Sequence, residues 1–231
     1  HRRPHGVAWL PDGRRVAVTS ETSRAVLLVD VAAGRVEAAL PTQAAGSHML
    51  ALSPDGKRLF TSNLEAGSVS ALDLESGAHL RTVPTGAGAE GIDVTPDGAQ
   101  LWVTNREADN VMVLDARTLQ PLDTLPSARM PIRVKLTPDG RMALVSNAMS
   151  ATLRVFDAAT RRETAAIPVS ESPGSNPMPV GVLVTPDGAM AFVAMMQGNE
   201  VAAVDLRQRR VVARLRPGDG PDGMAWSPLA K

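Results

Sequence analysis

The triplet Pro-Asp-Gly returns at Pro11, Pro54, Pro96, Pro138 and Pro186, and its spacings of 43, 42, 42 and 48 residues leave few folds open. A fixed period in this range marks a repeat architecture, in which each copy is one supersecondary unit that buries its apolar faces only against its neighbours. From each of these prolines an aspartate follows nineteen residues later, at Asp30, Asp73, Asp115, Asp157 and Asp205. Eleven residues beyond the first four stand Pro41, Pro84, Pro126 and Pro168, with Arg216 in the fifth copy.

Between these markers lie short runs rich in Val, Leu and Ile, such as Val7 to Leu10, Arg15 to Thr19, Val26 to Val29 and Arg35 to Leu40, each the length of one strand. The Pro-Asp-Gly corner suits a tight turn: Pro presets φ, Asp bonds the backbone that follows, and Gly takes the positive φ. The later Asp opens a second turn, and the closing Pro ends the fourth strand because it cannot donate to a ladder. No stretch of twelve residues keeps a 3.6-residue apolar period without meeting Pro or Gly, which excludes helical and βαβ readings. Four strands per repeat, stacked face to face around an axis, make an all-β propeller. The chain is therefore read as one domain, 1–231, with antiparallel blades at 5–41, 47–84, 89–126, 131–168 and 179–216 and the first strand of a sixth at 222–228. That last segment, Pro221-Asp222-Gly223-Met224-Ala225-Trp226, repeats the opening Pro4-His5-Gly6-Val7-Ala8-Trp9. The match predicts that strands two to four of the split blade lie upstream of His1, so the domain is read as incomplete at its amino end.

In copies two to four the second strand reads Leu59-Phe60-Thr61-Ser62-Asn63, Leu101-Trp102-Val103-Thr104-Asn105 and Ala143-Leu144-Val145-Ser146-Asn147. These segments resemble the Tyr-Val-Thr-Asn signature of the YVTN propeller-repeat family, within the superfamily of YncE-like and lactonase-like propellers. The chain departs from the signature in having no Tyr, in Ser20 replacing the Asn of copy one and in Met195 replacing it in copy five. The resemblance implies a native ring of seven blades, alternatively six, an extracytoplasmic and periplasmic setting, and a non-catalytic role in binding a small ligand or a protein.

Composition narrows the partners. Lys plus Arg and Asp plus Glu both number 24, so no field of one sign draws in nucleic acid or an anionic membrane. With no Cys, disulfides and thiolate chemistry are excluded. No apolar run reaches the roughly twenty residues of a membrane span. Gly-rich phosphate loops, the Gly-x-Ser-x-Gly elbow and the His-Glu-x-x-His helix are all missing from the sequence.

Candidate site residues come from the repeat register. The residue six before each corner proline begins its blade at the inner, upper end, and these positions hold His5, His48, Glu90, Ile132, Val180 and, in the partial copy, Asp222. Arg133, one place on, interrupts a series of Gly6, Met49, Gly91, Gly181 and Gly223. Ligand binding is therefore assigned to His5, His48, Glu90, Arg133 and Asp222. His5, His48, Glu90 and Asp222 are the candidates for a divalent metal, through imidazole nitrogen and carboxylate oxygen. The alternative reading is a lactonase-like hydrolase in which His5, His48, Glu90 and Arg133 supply acid, base and electrophilic help. Asn63, Asn105 and Asn147 are read as loop caps, His79 as a solvated residue of an outer strand, and the six-residue insertion of copy five, within Ser170 to Pro179, as an upper loop.

Overall fold

The structure is a computed structural model that describes residues 3–172 and 174–227. Its described residues form twenty strands in five four-stranded antiparallel sheets and no helix. The chain is thus an all-β protein built from propeller blades, as the repeat predicts. Its first strands are Pro4–Trp9, Ser47–Leu52, Ala89–Val94, Pro131–Leu136 and Pro179–Val184. The second strands are Arg15–Ser20, Arg58–Asn63, Gln100–Asn105, Met142–Asn147 and Met190–Met195, and each sheet runs in chain order from first strand to fourth.

The two turns of each repeat work as their composition dictates. At every corner the Gly N–H bonds the carbonyl three residues back, as in Gly56 to Ser53 (2.8 Å) and Gly98 to Thr95 (2.8 Å), and Gly takes φ between 64 and 72°. The corner Asp accepts the N–H two residues on: Arg14 to Asp12, Lys57 to Asp55, Ala99 to Asp97, Arg141 to Asp139 and Ala189 to Asp187, at 2.9–3.1 Å. The second-turn Asp accepts the N–H three residues on, at 2.7–2.8 Å in all five copies, from Ala33, Ser76, Thr118, Thr160 and Gln208.

The chain falls into two compact units, residues 1–124 and 125–231. In the first, blade one packs Val26, Leu28 and Leu40 on Leu50, Leu59 and Leu72 of blade two, whose Phe60, Val69 and Val83 meet Ile92, Leu101 and Leu114 of blade three. In the second unit, Leu153, Val155 and Ile167 of blade four meet Val193, Ala202 and Val204 of blade five. Each fully buried Leu or Val adds about 1.5–3 kcal/mol, and because both faces of a blade are covered the second strands are buried almost end to end. Fourth strands lie outermost and expose Leu80, Leu122 and Val212.

Two parts of the sequence reading are refined. The segment read as a further first strand, 222–228, has no strand among its described residues, Asp222 to Ser227. A strand exists by pairing, and among the described residues no strand pairs with this segment. The inserted loop is tied to its own blade: Arg214 pairs with Glu171 at 3.1 Å and donates to the Val169 carbonyl at 2.7 Å. Pro173 lies outside the described residues.

Candidate metal and ligand site

Three repeat positions are brought together at one end of every blade by bonds that involve little or no side-chain choice. The carbonyl just before the first strand accepts the N–H just after the second: Glu21 to Arg3 (3.2 Å), Leu64 to Gly46 (2.8 Å), Arg106 to Gly88 (2.9 Å), Ala148 to Met130 (2.9 Å) and Met196 to Met178 (3.0 Å). Beside this bond the first strand bulges, so that the ladder skips from Pro4 to Val7, from Ser47 to Leu50, from Pro131 to Arg133 and from Pro179 to Val182. The residues read from the register, His5, His48, Ile132 and Val180, sit in these bulges, which re-aim a side chain away from the pleat. Glu90 occupies the corresponding irregularity of blade three.

In blades one, two and four a hydroxyl on the second strand locks the bulge to the next blade. Thr19 Oγ1 accepts the Gly6 N–H (2.7 Å) and donates to the His48 carbonyl (2.6 Å). Ser62 accepts from Met49 (3.2 Å) and donates to the Glu90 carbonyl (2.5 Å), and Ser146 links Arg133 (3.2 Å) to the Val180 carbonyl (2.6 Å) in the same way. These hydroxyls are fully buried. They are the residue before the Asn of the repeat signature, and they set where the blade-end side chains stand. The Asn residues are buried too and bond locally, Asn63 to Ser68 (3.1 Å) and Ser70 (2.9 Å), Asn105 to Asn110 (2.7 Å) and Asn147 to the Val145 carbonyl (3.0 Å).

In the first unit this scaffold assembles a chain of ionisable groups. His48 Nδ1 lies 2.7 Å from Glu21 Oε1, and His48 Nε2 lies 2.7 Å from Glu90 Oε1. Glu90 Oε2 accepts Arg106 at 3.0 Å, and Glu21 Oε2 is 3.1 Å from Arg3 Nε. Glu21, His48 and Glu90 are 4–6% exposed, whereas His5 is exposed and stacks on His48 with ring centroids 3.7 Å apart. Each His48 contact needs a proton between nitrogen and oxygen, so the imidazole is committed on both sides. Register reading found His5, His48 and Glu90 but missed Glu21 and Arg106. Those two share one repeat position, ten residues after the corner proline, and their opposed charges around a His were the available signal.

The second unit fills the same positions with apolar groups. Ile132, Ala148 and Val180, equivalent to His5, Glu21 and His48, pack with Ala194 under Met130, Met178, Met196 and Met224. Arg133 and Asp222 meet there at 3.8 Å. Thus His5, His48 and Glu90 stand together in one unit, and Arg133 with Asp222 in the other. The Asp222 carbonyl packs directly against Gly181, where an added Cβ would fall 1.9 Å from its oxygen. Gly181→Ala is expected to expel this segment, abolish the Arg133–Asp222 pair and speed cleavage before Asp222 by an Asp-specific endoproteinase, with little change in melting temperature. Unchanged cleavage kinetics would show that the segment is not seated there. His79 begins the fourth strand of blade two and bonds Thr82 Oγ1 at 2.8 Å.

Comparison with known proteins agrees with this architecture. The profile of the YNCE-like beta-propeller family matches residues 3–120, the stretch that carries blades one to three up to the turn before the last strand. The chain belongs to the YNCE-like beta-propeller family. Among solved structures, the Kuenenia stuttgartiensis hydrazine synthase is similar, with a TM-score of 0.67 over 94% of this chain and 88% of that one. At 17% identity the likeness of this YNCE-like propeller to it is one of fold. No curated protein sequence matches the YNCE-like chain. Among the described residues no helix is long and apolar enough to cross a membrane.

Proposed function

We propose that this YNCE-like propeller is a non-catalytic binding scaffold, and that the blade ends of its first unit take a small ligand bearing a carboxylate. The observation that carries this reading is the joined set Glu21–His48–Glu90, three buried ionisable side chains linked at 2.7 Å beneath the exposed His5. Burying such groups is costly unless each is paired, and the second unit does without them at the same positions. At the rim, Arg3 and the partly exposed Arg106 offer guanidinium groups, which suit planar anions.

The lactonase-like alternative asks His48 to accept a proton from water. Both ring nitrogens already face carboxylate oxygens at 2.7 Å, and Arg133 is paired with Asp222, which favours binding over turnover. Titration with citrate, malonate and gluconolactone by calorimetry, beside a pH-stat assay of lactone opening, tests the choice. Carboxylate binding without lactone opening is expected. Arg106→Gln should weaken it roughly ten- to a hundredfold, the size of a lost hydrogen bond to a charged group. Lactone opening that disappears in His48→Gln would replace this reading with the hydrolase.

A further inference from the structure

We propose that His5, Glu21 and His48 are the ligands of a divalent transition-metal site, zinc foremost. This deepens, and rests on, the reading of the first unit's blade ends as a ligand site. The candidate ligand atoms of these three side chains lie within 4.8 Å of one another. Two imidazole nitrogens and one carboxylate oxygen are a zinc set that leaves a fourth position open, and a carboxylate from the bound ligand fills it. Calcium and magnesium, which take mainly oxygen, are disfavoured by two imidazoles.

The surroundings of His48 are those of a metal ligand. A ligating histidine is oriented by a carboxylate that accepts the proton of its other ring nitrogen. Glu90 does this at Nε2 and is fixed in turn by Arg106, leaving Nδ1 directed at Glu21. Bonds of about 2.0–2.1 Å at tetrahedral angles put neighbouring ligand atoms about 3.3 Å apart. Nδ1 and the Glu21 oxygen, at 2.7 Å, need to part by roughly half an ångström, and the proton between them leaves as the metal enters. His5, exposed and stacked on His48, reaches the same point by side-chain rotation.

Backbone geometry holds the two buried ligands. Glu21 is anchored through the Arg3 carbonyl and His48 through Thr19, so the ligands stand on strands and strand ends, where a site is more precise than on loops. The fold itself does not require them, since Ile132, Ala148 and Val180 complete the equivalent end in the second unit.

The test is titration of the chelator-stripped full chain with Zn²⁺ against a chromophoric chelator. One equivalent is expected to bind. His5→Ala and Glu21→Gln should each weaken binding at least tenfold, and His5→Ala should leave the melting temperature of the metal-free protein unchanged. Glu90→Gln should weaken it roughly ten- to a hundredfold through His48, and His79→Ala should have no effect. Absence of a stoichiometric site, or binding that survives His5→Ala and is lost in His79→Ala, overturns the proposal. Malonate binding that persists undiminished in chelator overturns the metal while sparing the ligand site. Zinc binding with no carboxylate affinity in any form does the reverse.

Discussion

His48→Ala is expected to lower the melting temperature by about 10 °C, a larger loss than any other substitution at the blade ends. The imidazole separates two carboxylates, Glu21 and Glu90, that are 5% and 4% exposed and each 2.7 Å from it. Removing one partner from a buried charge network leaves its neighbours desolvated and unpaired, which costs about 3–5 kcal/mol. In a chain of this length about 2–4 °C is lost per kcal/mol. Arg3 and Arg106 each retain one carboxylate and keep the loss from growing further. His48→Gln should recover part of it, because an amide can donate to one carboxylate. Thermal melts by circular dichroism decide; a change of less than 2 °C for His48→Ala would mean that water or side-chain movement solvates both carboxyls.

The second large effect is acid unfolding. Nine aspartates of the two turns are held below the ordinary carboxylate value of 3.8: Asp12, Asp30, Asp55, Asp73, Asp97, Asp115, Asp139, Asp157 and Asp187. Asp12 is lowered to about 2, chiefly by the backbone N–H of Arg15 and then that of Arg14. In Asp115 and Asp157 the leading cause is the N–H of Thr118 and Thr160, and in Asp97 it is the Thr95 hydroxyl. A carboxyl lowered in the folded chain stabilises it above the unfolded value and loses that contribution as pH falls toward the folded one. Stability should therefore be level from pH 7 to 5 and fall steeply from about pH 4 toward 2, with unfolding taking up several protons. Because hydrogen bonds dominate the shifts, about 0.5 M salt, which screens charges beyond a few ångströms, should leave the transition pH nearly unchanged. Asp115→Asn should flatten the slope. A transition that moves by a pH unit with salt would assign acid unfolding to net positive charge instead.

The fold was legible because its signals are local and repeated. Pro-Asp-Gly and the later Asp act through bonds spanning two or three residues, so spacing alone locates them. The blade-end positions were half legible. Counting back from the corner found His5, His48 and Glu90, but it could not show that the exit of one strand lies over the entry of another. Glu21 and Arg106 were missed for that reason. The Ser and Thr hydroxyls that lock the bulges were overlooked beside the more visible Asn, since a bulge leaves no mark on the count of residues between turns. Arg133 and Asp222, chosen for charge, meet in the second unit among methionines and isoleucine, a setting set by their neighbours in space.

The bond from the residue after the second strand to the carbonyl before the first uses main-chain atoms alone, and it recurs in five copies whose neighbouring residues range from Glu to Met. Position and chemistry are thereby separable, like sockets wired before any instrument is plugged in. Ile132, Ala148 and Val180 occupy the sockets that hold His5, Glu21 and His48 in the first unit. Three substitutions there, Ile132→His, Ala148→Glu and Val180→His, transfer a histidine–glutamate–histidine set to a second address without asking the backbone to move, so duplication with divergence can multiply or erase sites on this scaffold one repeat at a time.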